Sequence, residues 1–290
     1  VYHRYRMHQK MLQHIHSEQI NEAKLQFFIN ISHEIRTPMS LIISPLQQLM
    51  AKDKDAECRK LYNTIQRNAE RILQLVNQLM DIRKIDKGQM SLIFKKAEIV
   101  SFTRNLLETF EQQTRIKKLD LKFHTSAPEI EMWIDPKNFD KIILNLLSNA
   151  CKFTPENGQV EISLNTGEDT SLPPNAPLRR YVELTVTDSG IGIASTEREH
   201  IFERFYQIRN SQNNSNVGTG IGLHLTHSLV ELHHGNIHVE DNGEGKPGSR
   251  FIIRLPLGLE KGRNRRDNDP RRHNKYSGYR TGQHSFPTAL

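Results

Sequence analysis

The sequence is poor in the features that mark several classes of protein. It has two cysteines, Cys58 and Cys151, which lie far apart without metal-type spacing, so neither a disulfide framework nor a zinc site is expected. No apolar run approaches the roughly 20 residues that span a bilayer, and the first residues show no signal-peptide pattern. The 290 residues predict a soluble fragment of about two domains in a reducing compartment.

An acidic balance is also absent, since the formal net charge is +7. A basic protein can indicate nucleic-acid binding, but here most of the excess follows Leu259 in a segment with few apolar residues. The basic residues of that segment are Lys261, Arg263, Arg265, Arg266, Arg271, Arg272, Lys275 and Arg280. This composition is typical of a disordered tail or linker, so no nucleic-acid partner is expected for the remainder of the chain.

Two amphipathic segments occupy the first third of the chain. Apolar residues from Leu25 to Leu49 alternate by three and four, with Ser32 as a polar member, and the same spacing returns from Leu61 to Ile82. The polar stretch Ala51–Glu57 separates them, which predicts an antiparallel helical hairpin. Because one hairpin cannot bury both of its faces, we expect two copies to pair as a dimeric four-helix bundle.

After Gly88, strand-like and helix-like runs are mixed, which predicts an α/β sandwich. The predicted strands are Met90–Phe94, Asp120–His124, Val160–Leu164, Tyr181–Thr187, Asn236–Val239 and Arg250–Leu255. The predicted helices are Ile99–Lys118, Pro136–Phe153 and Ile221–His233. Asp135 followed by Pro136 is a helix-start signal, and residues 167–178, with three prolines, are predicted as a surface loop.

These patterns divide the chain into four parts. Residues 1–24 are expected to form a helical input segment and residues 25–87 the dimerising hairpin. Residues 88–258 are expected to form the α/β domain, and residues 259–290 the basic tail. The basic and aromatic start of the chain is typical of a segment that follows a membrane helix on the cytoplasmic side, and equally of a frayed helical start. Membrane attachment is expected only through a helix upstream of Val1.

The segment Phe27–Pro38 carries the clearest chemistry. His33 lies one position beyond the heptad seam and faces outward, Thr37 shares its face one turn later, and Glu34 follows it directly. A neutral imidazole is a good nucleophile, and a carboxylate can take its other proton. Pro38 removes an amide and is expected to loosen the helix just past His33. A lone exposed histidine is usually surface decoration, so the surrounding residues decide its meaning.

The string His33-Glu34-x-x-Thr37-Pro38 resembles the H-box of the dimerisation and phosphotransfer domain of sensor histidine kinases. That resemblance implies that His33 is the phosphoacceptor and that Glu34 is its general base. It also implies that Thr37 supports dephosphorylation of a partner receiver domain.

Three further strings in the second half have the residue types of a nucleotide site. Asn145, Asn149 and Lys152 share one face of a predicted helix, where amide oxygens suit Mg²⁺ and the lysine suits phosphate. By itself this face could be the wet side of an apolar helix. Asp188 ends a predicted strand and could accept a hydrogen bond from an exocyclic amine such as that of adenine. The string Gly218-Thr219-Gly220-Ile221-Gly222-Leu223 opens a helix, where backbone amides suit phosphates.

Together these strings resemble the N, G1 and G2 boxes of the histidine-kinase ATPase domain, and residues 202–206 resemble its F box. The resemblance runs from about Leu25 to Leu257 and implies a Bergerat fold, with a mixed sheet and its helices on one face. It implies ATP and Mg²⁺ as cofactors and Asn149 as the metal ligand. The polar stretch at residues 209–217 lacks a core pattern and is predicted to be a mobile lid. The implied nucleotide contacts are Asn145, Asn149, Lys152, Asp188, Gly190, Gly192, Phe205, Gly218, Thr219, Gly220, Gly222 and Leu223.

The predicted function is that of a two-component sensor histidine kinase core on the cytoplasmic side of the membrane. It would autophosphorylate His33 and pass the phosphoryl group to an aspartate of a response-regulator receiver, in the same chain or another. A plain ATPase of the gyrase type would lack the helix that carries His33. A nucleotide-binding scaffold would not need intact His33, Glu34 and Asn149. A nucleic-acid binder is suggested only by the basic tail.

Overall fold

The computed structural model describes residues 35–53, 55–208, 219–243 and 246–257, and in it the predicted helical hairpin is present. Helix α1 covers residues 35–52 and helix α2 covers Ala56–Asp86. The Asp55 carboxylate caps α2 by accepting hydrogen bonds from the backbone N–H groups of Glu57 and Cys58. This cap lets α2 begin inside the predicted polar loop. Arg36 of α1 donates to Asn77 Oδ1 of α2 at 3.0 Å, which fixes the level at which the two helices meet.

The hairpin buries only part of its apolar surface. Leu46, Ala69 and Val76 are buried. Five other apolar side chains of the predicted heptads, which we call the open seam, are 40–64% exposed: Ile42, Leu49, Leu61, Ile65 and Ile72. A hairpin that leaves such a row exposed has not completed its core.

The second region is an α/β sandwich built on a mixed sheet. Its elements are β1 (Lys95–Glu98), α3 (Ile99–Ile116), β2 (Asp120–Thr125), β3 (Glu131–Ile134), α4 (Pro136–Phe153), β4 (Gln159–Glu168), β5 (Arg180–Asp188), a 3₁₀ turn (His200–Phe202), α5 (Gly222–Leu232), β6 (Asn236–Asp241) and β7 (Ser249–Pro256). The main sheet has the strand order β2-β4-β5-β7-β6; β2 is parallel to β4 and the other neighbours are antiparallel. A separate antiparallel pair joins β1 to β3.

Alternation along the strands places the core on one face of the sheet. In β4 the side chains of Val160, Ile162 and Leu164 are fully buried, while their neighbours remain partly exposed. The buried face packs against α3, α4 and α5. Helix α4 has the predicted bounds because both of its start signals act locally. Asp135 accepts a hydrogen bond from the Asn138 N–H, and Pro136 occupies the first turn.

One strand prediction was wrong, and one short strand was missed. The predicted strand Met90–Phe94 is irregular, because the N–H groups of Gln89 and Met90 bond back to the Lys84 carbonyl and the Ile93 N–H bonds to Asp135 Oδ2. The strand comes later, at Lys95–Glu98, where paired lysines obscure the apolar pattern. Its partner, Glu131–Ile134, was missed because it is only four residues long.

The end of α2 packs into the α/β region. Ile82 is 4% exposed and belongs to the same buried cluster as Ile134 and Phe139, with Leu79 and Ile85 packed against that cluster. Asp81 Oδ2 accepts a hydrogen bond from Lys141 Nζ of α4 at 2.6 Å. The last two turns of α2 therefore contact both regions of the molecule.

Candidate functional site

Asp188 forms the most buried acidic position of the candidate site. It ends β5, is 6% exposed, and accepts a hydrogen bond from the Gly190 N–H at 2.8 Å. Burial raises the pKa of the Asp188 carboxyl, and hydrogen bonds from the backbone N–H groups of Gly190 and Ser249 oppose that rise. One carboxylate oxygen is thus held by the turn, which orients the side chain.

The glycine turn after Asp188 lies directly against the end of α4. A Cβ at Gly190 would lie 2.6 Å from the Phe153 carbonyl oxygen, so only glycine permits this approach. Gly192 follows with a positive φ of 73°. The turn therefore brings the predicted adenine-reading residues beside the helix that carries the predicted phosphate and metal residues.

Helix α4 presents the three predicted polar residues at its half-buried side. Asn145 Nδ2 donates to Thr226 Oγ1 of α5 at 2.7 Å. Asn149 is half-buried, and its side chain has no hydrogen bond to any residue of the described part of the chain. Lys152 Nζ lies 4.7 Å from the centroid of the Phe153 ring. Burial, and then the positive charge of Arg71, lower the pKa of Lys152.

The segment around Phe205 meets the start of α5. The Phe205 N–H donates to the Gly220 carbonyl at 2.9 Å, and the Phe205 side chain is 55% exposed. Thr219 is half-buried, Leu223 packs against the core, and the first turn of α5 has no side-chain cap. Uncapped N–H groups at a helix start are suited to an anionic ligand.

Several predicted residues cannot be placed. His33, Glu34, Gly218 and the predicted lid at residues 209–217 lie outside the described residues. Thr37 is exposed on α1, close to the level where Arg36 contacts Asn77 of α2.

A second contact links α2 to the F-box segment. Arg204 donates to Asp86 Oδ1 near the end of α2 and, through Nε, to His224 Nε2 at 2.9 Å. With the Lys141–Asp81 bond, this contact places the α/β region against the final turns of α2, a few residues beyond Asn77. The α/β region therefore contacts the hairpin at the end where Arg36 and Asn77 meet.

Sequence reasoning missed three residues that shape the site. Thr226 holds Asn145, and a Cβ at Gly248 would lie 1.7 Å from the Asp188 carbonyl oxygen. Ser249 donates its N–H to the Asp188 side chain. Only Thr226 left a signal, since it follows Gly222 by four residues and shares its helix face. The other two come close through pairing of β5 with β7.

The residues present fit a magnesium nucleotide. Within residues 35–53, 55–208, 219–243 and 246–257, no group of three or more His, Cys, Asp or Glu side chains could hold a metal ion. Asn149 offers a single amide oxygen, so a cation held there would take its other ligands from phosphate and water, the coordination that Mg²⁺ prefers.

No helix in those same ranges combines the length and apolar composition of a membrane span.

Comparison with known families assigns both regions. Residues 23–88 match the family model of the His Kinase A (phospho-acceptor) domain. Residues 134–259 match that of the histidine kinase-, DNA gyrase B- and HSP90-like ATPase. The two matches thus define an ATP-binding domain joined to a phosphoacceptor helical domain. Elements β1, α3 and β2, which lie between the two matches, belong to the α/β region.

Named relatives agree with these matches. Histidine kinase P4 of Formosa agariphila is 35% identical over 248 residues, covering 83% of this chain and 17% of the relative. Sensor histidine kinase TmoS of Ectopseudomonas mendocina is 37% identical over 245 residues, covering 84% and 24%. The chain therefore belongs to the sensor histidine kinases, and it spans less than a quarter of the length of these two curated relatives.

The fold agrees with solved structures. Full-length ShkA in complex with AMPPNP superposes with a TM-score of 0.62 at 24% identity, covering 80% of this chain and 46% of that one. Histidine kinase ThkA in complex with the response regulator TrrA gives a TM-score of 0.50 at 24% identity, covering 80% and 61%. The predicted fold class, a helical region followed by a mixed-sheet α/β domain, is confirmed.

Proposed function

We propose that this chain is the autokinase core of a two-component sensor. It binds Mg²⁺-ATP, phosphorylates His33, and passes the phosphoryl group to an aspartate of a response-regulator receiver. The carrying observation is that residues 188–192 and 219–223, distant in sequence, both lie against the part of α4 that runs from Asn145 to Phe153. The domain limits that go with this proposal are 1–24, 25–87, 88–258 and 259–290.

The nucleotide contacts follow from the buried turn and from the polar face of α4. Asp188, held through one oxygen by the Gly190 N–H, accepts a hydrogen bond from the adenine amine with the other. Gly190 and Gly192 shape that end of the site. Asn145 and Lys152 contact phosphates, and Asn149 ligates Mg²⁺, which would neutralise charge on the phosphates. The remaining contacts come from Phe205, Gly218, Thr219, Gly220, Gly222 and Leu223.

The acceptor side uses three residues of the first helix. A ring nitrogen of His33 attacks the γ-phosphorus of ATP, the bond from that phosphorus to the bridging oxygen breaks, and ADP leaves with the bond's electrons. Glu34 takes the proton from the other ring nitrogen as the N–P bond forms. Thr37, exposed one turn after His33, supports hydrolysis of the receiver phosphate. The contact of α2 with the α/β region supports this arrangement, because it brings the ATP domain to the end of the hairpin where Arg36 lies.

The open seam supports a homodimer. Five apolar side chains in heptad register, each at least 40% exposed, are available to pack against a second copy. Light scattering should give the mass of a dimer. Ile65→Asp should lower the mass toward that of a monomer, whereas a change at an exposed polar position such as Asn63→Asp should not. A monomeric wild-type chain at micromolar concentration would contradict the proposal.

The decisive test is a matched set of assays with radiolabelled ATP and Mg²⁺. The wild-type chain should gain an acid-labile, base-stable label, and chelation of Mg²⁺ should abolish labelling. His33→Gln should lose the label and still bind nucleotide, whereas Asp188→Asn should lose both. Glu34→Ala should bind nucleotide but label about 10²- to 10⁴-fold more slowly. A label that persists in His33→Gln would refute the acceptor assignment.

Receiver transfer is tested separately. Labelled wild-type protein mixed with a purified receiver domain should lose its label to the receiver. A receiver with Asn in place of its acceptor aspartate is the matched control. The complex of ThkA with the response regulator TrrA supports this partner class. Retention of the label with every receiver encoded near this kinase would contradict a partner of that class from the same locus.

A further inference from the structure

The Asn145 amide is held between two elements of separate origin. Its Nδ2 donates to Thr226 Oγ1 at 2.7 Å, a contact between positions 81 residues apart. Its Oδ1 lies so close to Gly222 that a Cβ there would be 2.3 Å away. The α5 face formed by Gly222 and Thr226 thus contacts both ends of the amide.

Thr226 is a buried hydroxyl in an otherwise apolar part of α5. Its residue is 1% exposed, and its buried neighbours on the helix are Leu225, Leu229 and Val230. A valine would fill the same space without the polar atom. A hydroxyl retained in such surroundings needs a partner, and the Asn145 amide supplies one.

We propose that Thr226 is a positioning residue that sets the side-chain rotamer of Asn145 toward the nucleotide phosphates. The inference rests on the proposed function, because it assumes that Asn145 contacts those phosphates. Thr226 also ties α4 to α5, so that Asn145 and the uncapped first turn of α5 keep a fixed separation. Without the hydroxyl, the amide can turn away from the ligand or form competing hydrogen bonds.

A packing role makes the opposite prediction. If Thr226 only fills volume, Thr226→Val should behave as wild type, and Thr226→Ser, which removes a methyl group, should be the damaging change. If Thr226 positions Asn145, Ser preserves the role and Val destroys it. Thr185 supplies a matched control in the same domain. It is also buried, at 2% exposed, but its Oγ1 has no hydrogen-bond partner among the described residues.

The experiment is calorimetric titration of the whole chain with Mg²⁺-ATP, with the thermal midpoint recorded for each variant. Thr226→Val should weaken binding about five- to tenfold, the loss typical of one hydrogen bond. Thr226→Ser should remain within about twofold of wild type, and Thr185→Val should leave affinity unchanged. In an Asn145→Ala background, Thr226→Val should add no further loss, because its effect acts through Asn145.

Wild-type affinity in Thr226→Val, or a larger loss in Ser than in Val, would overturn the positioning role while leaving the proposed function intact. A wild-type chain that does not bind Mg²⁺-ATP would instead overturn the proposed function. If Thr226→Val does not fold, Thr226→Ala replaces it in the comparison with Ser. Equal affinities of Ala and Ser would then overturn the inference.

Discussion

The two ends of helix α2 occupy different environments. Toward its start, Leu61 and Ile65 stand exposed in the open seam, whereas Ile82, near its end, is almost completely buried with Phe139 of the ATP domain. One continuous helix thus has an unfinished core at one end and a finished core at the other. The hairpin therefore depends on contacts outside itself. The ATP domain supplies them at the end of α2, and in our proposal a second copy supplies them along the open seam.

The largest expected effect comes from the finished end. Ile82→Ala should lower the free energy of unfolding of the ATP domain by about 2–4 kcal/mol, because it leaves a cavity in that domain's core. Ile72→Ala, on the open seam, should instead shift the monomer–dimer equilibrium and leave the ATP-domain transition in place. Urea denaturation followed by circular dichroism at several protein concentrations separates the two effects. If Ile82→Ala and Ile72→Ala lowered the stability of the ATP domain equally, the two ends of α2 would not differ in the way proposed.

A second prediction concerns the first helix of the ATP domain. The Glu98 carboxylate caps α3 by accepting from the N–H groups of Val100 and Ser101, and it also accepts from the Ile130 N–H. Glu98→Ala should therefore cost about 2 kcal/mol of ATP-domain stability, with no effect on the hairpin. Thermal unfolding monitored with and without Mg²⁺-ATP would assign the loss to the ATP domain.

The Glu98 cap also predicts that the stability of the ATP domain falls at acid pH. Burial raises the pKa of Glu98, but the hydrogen bonds from Ser101, Ile130 and Val100 outweigh it and lower the pKa from 4.5 to about 2. A lowered carboxyl pKa stabilises the fold fully above pH 4.5 and progressively less as the pH falls toward 2. Glu98→Gln should show a smaller loss of stability over that interval. An unchanged acid profile would contradict the role of this carboxylate.

Smaller still is the contribution of a core histidine. His233 is buried, donates from Nδ1 to the Leu229 carbonyl at 2.7 Å, and accepts at Nε2 from the Asp135 N–H at 3.2 Å. Burial is the main cause that lowers the pKa of His233 from 6.5. Its stabilisation is therefore present above pH 6.5 and is lost as the pH falls, by at most about 1.4 kcal/mol per pH unit.

Denaturant titrations between pH 7.5 and 5.5 test this histidine. His233→Gln should flatten the pH dependence of ATP-domain stability. The neighbouring, exposed His234, changed to Asn, should leave the slope as in wild type. A slope that survives in His233→Gln would assign the effect to another group.

Sequence reasoning succeeded where the signals are local. Helix α4 was bounded correctly because Asp135 and Pro136 stand next to each other at its start. The strand prediction at Met90–Phe94 failed in part because the Ile93 N–H bonds to Asp135, 42 residues away. Thr226 was overlooked for the same reason, since its meaning depends on Asn145 across the α4–α5 contact. Residue types and their spacing indicated the chemistry of the candidate site. The residues that position those side chains are determined by tertiary contacts, which the sequence pattern does not contain.

The smallest expected effect lies at the junction itself. Lys141 Nζ bonds to Asp81 Oδ2 at 2.6 Å and to Asn138 Oδ1 at 3.1 Å, and the Lys141 and Asp81 side chains are only partly exposed. A double-mutant cycle of Asp81→Asn and Lys141→Gln should give a coupling energy of about 0.5–1 kcal/mol that shrinks as salt is added. The coupling energy is small because both charged side chains stay partly hydrated, whether or not the ion pair is formed.

Even this small coupling can change a rate that depends on how the ATP domain sits against the hairpin. A loss of about 0.5–1 kcal/mol shifts a docking equilibrium roughly two- to fivefold. Lys141→Gln should therefore change the autophosphorylation rate by that factor and leave the Mg²⁺-ATP dissociation constant unchanged, because Lys141 lies at the opposite end of α4 from Lys152. Lys137→Gln, an exposed lysine one turn earlier on the same helix, is the control. If Lys141→Gln weakens nucleotide binding as much as it alters the rate, the junction and the nucleotide site are one unit, and the contrast between the two ends of α2 does not extend to catalysis.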